Sequence, residues 1–218
     1  MLIAVLADEE LKAEILGKNS TKDGIEYIWP DSLSSLLMVE ADYYFDLKFE
    51  MDVERISKLR ALLPKTVLIG GVNDNLATIG DDRFIRINSW PGMLEREIIE
   101  LAFTDQLLSR VESLAEKLGW QYIRVPDLPG MVTPRVIAMI VNEAFFALEE
   151  GLSSRSEIDI AMRLGTSYPY GPFEWAAKVG AGKILRLLRS LQVRNNRYEI
   201  SAELVKEVNS TDPVFANK

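Results

Sequence analysis

The 218 residues include no cysteine and no histidine. Disulfides, thiol catalysis and zinc–thiolate sites are therefore excluded. So are the commonest general base near neutral pH and the commonest metal ligand. Acid–base work falls to Lys, Glu, Asp or Tyr, and Lys48 and Asp46 are candidate bases. The carboxylates Asp8, Glu9 and Glu10 stand directly behind a short apolar run, Leu2–Leu6. Asn73 and Asp74, in a Gly-Gly-Val-Asn-Asp stretch, either hydrogen-bond a ligand or make a turn. Trp90, Met93, Tyr168, Tyr170 and Trp175 either line a cleft or pack a core or interface. The basic run from Lys183 to Arg197 suits a helix C-terminus and its solvated face better than a phosphate contact, such as one to a CoA tail.

The elements that must position these residues fall into two kinds. Leu2–Leu6 has the continuous apolar character of a buried parallel strand. Asp8 is placed to cap a helix through Leu16. Further strands are predicted at Gly24–Trp29, Asp42–Leu47, Thr66–Ile69, Arg83–Ile87, Glu97–Leu101 and Trp120–Val125. Helices fall between them: a short one capped by Asp31 or Ser32, one over Asp52–Leu63 ending at Pro64, and one over Thr104–Leu118 ending at Gly119. Alternation of this kind predicts an open, mostly parallel sheet with helices on both faces. After Pro126–Gly130 the pattern becomes all-helical. Thr133 is a plausible N-cap with Pro134 opening a helix whose apolar part is Val136–Leu148. Ser154 and Glu157 form a capping box for a helix to Leu164. Helices follow over Pro172–Val179, Gly182–Gln192 and Ala202–Val208, and Ser210–Lys218 has the composition of a frayed tail.

The net charge is −8, from 33 acidic and 25 basic side chains. That disfavours a general nucleic-acid or anionic-membrane surface. The opening apolar segment Met1–Ala7 is far too short for a signal peptide or a membrane span, so the expected location is cytoplasmic.

The helical half resembles the C-terminal domain of 3-hydroxyacyl-CoA dehydrogenases. The elements that carry the resemblance are Asp127-Leu-Pro129-Gly130, Arg135, Glu150-Gly151, Ser154–Asp159, Leu164-Gly165 and Tyr168-Pro-Tyr-Gly-Pro-Phe-Glu174. They occur in the family's order and at matched spacing. Weaker similarity reaches back through Ala41–Asp46 with Glu50, Leu62–Leu68, and Arg83–Ile85 followed by Glu100. The resemblance implies a shortened α/β Rossmann-like open sheet over residues 1–125. It implies an all-α domain over 126–218, of the type that closes 6-phosphogluconate dehydrogenase. It also implies an NAD-dependent oxidoreductase ancestry in fatty acid metabolism and a homodimer formed through the helical domain. Tyr168, Pro169, Gly171, Pro172 and Phe173 would sit at an interface or cleft. The apolar density of Val136–Leu148, with Met139, Ile140, Phe145 and Phe146 around much of the helix, fits such a pairing.

The same resemblance locates the family's working positions, and here they are altered. Its Gly-x-Gly-x-x-Gly phosphate turn falls on Ala7, Glu9 and Lys12. Three carboxylates, Asp8–Glu10, would stand where a diphosphate docks. At ~4–6 Å a like-charge pair costs about 1 kcal/mol in water and several at a partly buried site. Its catalytic His falls on Asn88 and the orienting Glu on Glu100, now an ordinary strand-end carboxylate. Its helix-mouth Asn falls on Pro134. Asp31, near the place of a ribose-binding acid, is explained by a turn and cap. The region between Trp29 and Ala41 has room for one brief helix. The family's Gly-Lys-x-Gly-x-Gly-Phe-Tyr terminus is absent.

These changes favour a family member without NAD or another cofactor and without catalysis, acting as a dimeric scaffold or regulatory protein. An NAD-dependent 3-hydroxyacyl-CoA dehydrogenase with substituted residues and a non-catalytic acyl-CoA or small-ligand binder are the alternatives.

Overall fold

The computed structural model describes residues 1–18 and 24–211. The chain divides into two compact units, Met1–Met131 and Val132–Lys218.

The first unit is built on seven strands: β1 (Leu2–Leu6), β2 (Glu26–Ile28), β3 (Tyr43–Asp46), β4 (Thr66–Ile69), β5 (Ile85–Ile87), β6 (Ile98–Ala102) and β7 (Gln121–Arg124). Their order across the sheet is β2-β1-β3-β4-β5-β6-β7. All neighbours are parallel except β5 and β6. The strand period of two sorts side chains between the faces. Val5, Phe45, Leu68 and Ile85 lie in one register row on one face. There they meet Leu11 and Ile15 of α1 (Glu9–Lys18) and Val111, Leu114 and Leu118 of α5 (Leu108–Leu118). Ala4, Tyr44 and Val67 face the other way, onto α2 (Leu33–Met38), α3 (Val53–Arg60) and α4 (Leu76–Ile79).

Several helix starts in this unit carry side-chain caps, of which Asp8 and Ser32 are legible in the sequence. The Asp8 carboxylate accepts the Leu11 N–H, Ser32 that of Ser35, and Asp52 that of Arg55. Asp31 instead accepts the Ser35 hydroxyl at 2.7 Å. Helix α3 stops at Arg60, short of Leu63: Pro64 has no N–H to continue the ladder, and the Leu62 and Leu63 amides bond three residues back, to Leu59 and Arg60. Helix α4, which periodicity is too short to reveal, starts from an Asn75–Thr78 capping box. Residues 105–107 form a 3-10 turn rather than the start of α5. Glu100 is not at a strand end: it is the central residue of β6 and is buried.

The second unit consists of α6 (Thr133–Glu149), α7 (Arg155–Thr166), α8 (Pro172–Val179), α9 (Ala181–Arg194) and α10 (Ala202–Thr211). Its core is dominated by Val141 and Phe145 of α6, Trp175 of α8, Leu185 and Leu188 of α9, and Leu204 of α10. Thr133 is not the N-cap of α6. Val132 precedes the helix with no side-chain cap, and Thr133 and Pro134 are its first residues. Buried Asn142 ties the approach to α10 onto α6, donating to the Glu199 carbonyl at 2.8 Å and accepting the Ser201 N–H at 3.0 Å. Ser210 and Thr211 close α10 rather than opening a tail, and 212–218 lie outside the described residues. No helix among the described residues is long and apolar enough to cross a membrane.

Candidate functional site

In an open parallel sheet, ligands are expected beyond the carboxyl ends of the strands where the strand order reverses. Here that point lies between β1 and β3, since β2 and β3 flank β1 on opposite sides. Ala7 leaves β1, and Asp8 Oδ1 takes the Leu11 N–H at 2.9 Å. Glu9, with its side chain 91% exposed, pairs with Lys12 at 3.7 Å. The Lys12 ammonium also stands 5.5 Å from the Trp29 ring centre. A helix N-terminus attracts an anion through free amides and its positive dipole end. At α1 one of those amides is taken by Asp8, and Glu9 and Glu10 add further negative charge. These residues do not suit the diphosphate of a dinucleotide.

At the end of β3, Asp46 is fully buried and held in a fork by Arg55, with Nε at 2.7 Å and Nη2 at 2.5 Å. Burial pushes its carboxyl above the usual range, and the Arg55 hydrogen bonds pull the other way. The fork occupies one lone pair on each Asp46 oxygen, and full burial keeps the rest of the carboxylate away from solvent. Lys48, the other candidate base, is exposed. At the end of β4, Gly70 is pressed against its neighbours. A Cβ there would lie 2.2 Å from Ser89 Oγ and 2.7 Å from the Leu47 carbonyl oxygen.

The antiparallel β5–β6 pair brings Asn88 and Glu100 together. The Asn88 N–H donates to the Glu100 carbonyl at 3.1 Å, and Asn88 Nδ2 donates to Glu100 Oε2 at 3.4 Å. Both are buried. Glu100 therefore keeps a side-chain partner, but the partner is an amide that cannot carry a proton between two states. Trp90 and Met93, read as possible cleft residues, are buried at 3% and 2%.

Sequence reasoning missed two charged residues in this region. Glu14, on the buried stripe of α1, accepts the N–H groups of Gly92 at 2.6 Å, Leu94 at 2.9 Å and Glu95 at 3.3 Å. Burial raises its carboxyl above the ordinary range, and these amides oppose the rise. Arg86, in the middle of β5, is fully buried. It bonds Asp127 at 2.5 Å and the Gly71 carbonyl at 2.8 Å. Burial lowers its pKa, and Asp127 raises it. Asp127 also accepts the Leu76 N–H, so the Asp127-Leu-Pro-Gly130 segment is anchored to β5 and α4 within the first unit. The compact first unit accordingly runs to Met131. A charged residue inside an apolar strand, Phe84-Ile-Arg86-Ile87, was the available signal. Neither Asn73 nor Asp74 is the cap in the Gly70–Asn75 stretch; that is Asn75.

In the helical unit, the segment Tyr168–Glu174 is a keyed helix start. Asp159 Oδ1 accepts the Phe173 N–H at 2.8 Å, and Glu174 Oε2 accepts the Gly171 N–H at 2.8 Å. Arg163 pairs with Glu174 at 2.8 Å. A Cβ on Gly171 would lie 2.3 Å from Asp159 Oδ1 and 2.5 Å from its Cα, so only glycine fits. Pro172 opens α8 with its fixed φ. Phe173 is buried edge-on against Phe145 at 5.0 Å, and Tyr170 meets Trp175 edge-on at 4.9 Å. Tyr168 is 40% exposed. The Asp159, Arg163 and Glu174 contacts all go to fixing the start of α8 against α7.

Residues 130–212 match the family model described as 3-hydroxyacyl-CoA dehydrogenase, C-terminal domain. Among curated proteins, the 3-hydroxyadipyl-CoA dehydrogenase of Escherichia coli (strain K12) is 49% identical over 77 residues. That stretch is 35% of this chain and 16% of the relative. The 3-hydroxybutyryl-CoA dehydrogenase of Bradyrhizobium diazoefficiens is 31% identical over 138 residues, 61% of this chain and 47% of that protein. The chain thus spans less than half the length of these relatives. Among solved structures, the (S)-3-hydroxybutyryl-CoA dehydrogenase of Ralstonia eutropha shares the fold with a TM-score of 0.72 at 19% identity. The superposition covers 96% of this chain and 93% of that one.

Proposed function

We infer, for a chain that belongs with the 3-hydroxyacyl-CoA dehydrogenases and carries their C-terminal domain at residues 130–212, that NAD binding and dehydrogenase catalysis have been lost. The protein then serves as a dimeric scaffold or regulatory protein. The observation that carries this reading is Asn88 at 3.4 Å from Glu100. The pair has the arrangement of a base and its orienting carboxylate, with no base in it. The acidic start of α1 supports the loss of the cofactor. Pro134, buried in the first turn of α6, offers no side-chain donor where the resemblance puts an Asn. The substitute base that an active enzyme needs finds no support at Asp46, which Arg55 holds.

Titration with NADH followed by nucleotide fluorescence tests the reading, and no saturable change is expected through the millimolar range. Micromolar affinity overturns it. A melting temperature raised by acyl-CoA but not by NAD would favour the binder alternative.

The dimer half of the reading rests on apolar side chains left at the surface of the helical unit. Val136 of α6, Leu152, and Ile160 and Leu164 of α7 are 45%, 75%, 45% and 81% exposed. A contiguous exposed apolar patch is what marks an association surface. Sedimentation equilibrium at high concentration is expected to give a dimer, and a monomer there removes this half of the proposal.

A further inference from the structure

At the amino ends of β1, β3 and β4, the edge of the sheet opposite the altered turn, lies a groove of about 510 Å³. Lys65 and Thr66 enter it from the start of β4, Asp42 and Tyr43 from the start of β3, and Arg110 and Lys117 from α5. Elsewhere in this unit five arginines, Arg55, Arg60, Arg83, Arg86 and Arg124, each bond a carboxylate. The cations of the groove do not. Arg110 donates to the Pro64 carbonyl at 2.5 Å, and Lys117 donates to the Tyr43 hydroxyl at 3.2 Å while lying 5.6 Å from the Tyr43 ring centre. Among the described residues no ion pair joins Lys65, Arg110 or Lys117 to a carboxylate. The one carboxylate lining the groove, Asp42, is engaged by the Leu2 N–H at 2.8 Å.

Three cations without carboxylate partners on one concave surface repel one another, and an anion placed among them removes that repulsion. The donors remain available. A lysine ammonium carries three N–H groups, of which Lys117 uses one on Tyr43, and the Tyr43 hydroxyl that accepts it still has a proton to give. Such a set of donors suits a tetrahedral oxyanion. A chain of net charge −8 with an isolated patch of three cations suits a compact anion, not a polyanion that must also lie along the acidic surface.

We propose that this groove binds a phosphate-bearing small molecule, a phosphate or diphosphate ester held by Lys65, Arg110, Lys117 and Tyr43. The site is separate from the strand ends considered above and does not depend on whether NAD binding is lost. Inorganic pyrophosphate is the probe, titrated into the full chain at fixed ionic strength and followed by calorimetry and by amide chemical shifts. One saturable site is expected, with shifts at Tyr43, Lys65, Thr66 and Lys117. Lys65→Gln and Lys117→Gln, both at exposed positions, are each expected to weaken it about 5- to 10-fold without lowering the melting temperature. Lys58→Gln, at a cation outside the groove, is expected to leave it unchanged. The proposal is overturned if pyrophosphate does not saturate, if Lys65→Gln and Lys117→Gln bind as the parent does, or if an oligonucleotide or anionic vesicle binds there more tightly than pyrophosphate.

Discussion

The β5–β6 strand pair and the Tyr168–Glu174 helix start both carry the family resemblance, but their side chains are used differently. In the helix start, the side chains satisfy each other and the backbone: Asp159 serves Phe173, and Glu174 serves Gly171 and Arg163. A change there costs folding energy whether or not the protein catalyses anything. In the strand pair, Asn88 fills the space and keeps a hydrogen bond to Glu100. The sheet is complete with a residue that can do no proton chemistry. A well-formed helical unit therefore speaks of packing and family likeness, and on the proposed reading most of the altered positions, Asn88 and the start of α1 among them, lie in the sheet unit.

This contrast can be broken first at its strongest structural contact. Asp127→Ala leaves the Arg86 guanidinium buried without its carboxylate, and a loss of about 3–5 kcal/mol in urea unfolding is expected. A loss under about 1 kcal/mol would mean that the carbonyls around Arg86 suffice. Next, Gly171→Ala drives a methyl group into Asp159 and is expected to cost about 1–3 kcal/mol by the same measurement. A neutral result would show that the helix start is not keyed as described.

A smaller effect separates the two units by pH. In the sheet unit, hydrogen bonds from Arg83 foremost, then Arg60, hold the Asp81 carboxyl well below its ordinary 3.8, against the opposing effect of burial. Its unfolded form binds the proton first on acidification. The stability it contributes is thus complete above pH 3.8 and declines as pH falls below that. In the helical unit, burial raises Asp159 above 3.8 despite the Phe173 N–H. Its folded form binds the proton first, so its contribution is greatest below 3.8 and declines as pH rises through the folded value. Asp81→Asn is expected to flatten the acid limb of the stability curve and Asp159→Asn to remove a decline on the other side of it. Equal curves for the two variants would remove the contrast.

The smallest expected change is none. Asn88→His restores an imidazole beside Glu100, yet no NAD-dependent turnover of a 3-hydroxyacyl-CoA is expected in a spectrophotometric assay, because the start of α1 remains acidic. Measurable turnover would show that Asn88 alone accounts for any inactivity.

Much of the fold was legible in the residues. Thr66–Ile69 and Pro172–Val179 fall where the apolar run and the Gly-Pro start predict them. The Ser154–Glu157 capping box forms as its spacing requires. The misses share a cause. Helix α4 has four residues, too few to show a period, and its position depends on Asn75 and on Asp127, 51 residues away. Thr133 has the right side chain for a cap, but the helix starts one residue earlier than a cap at that position allows.

Local periodicity, caps and short motifs were enough to establish the strand and helix alternation, the all-helical second unit and the family likeness. Composition alone established that no histidine or thiol can act. Tertiary packing was needed to establish that Asn88 and Glu100 touch, that Arg55 holds Asp46, that Glu14 gathers three backbone amides, and that Lys65, Arg110 and Lys117 share a groove. Those facts join residues 9 to 81 positions apart. Chain spacing does not fix such distances; strand order and helix packing do.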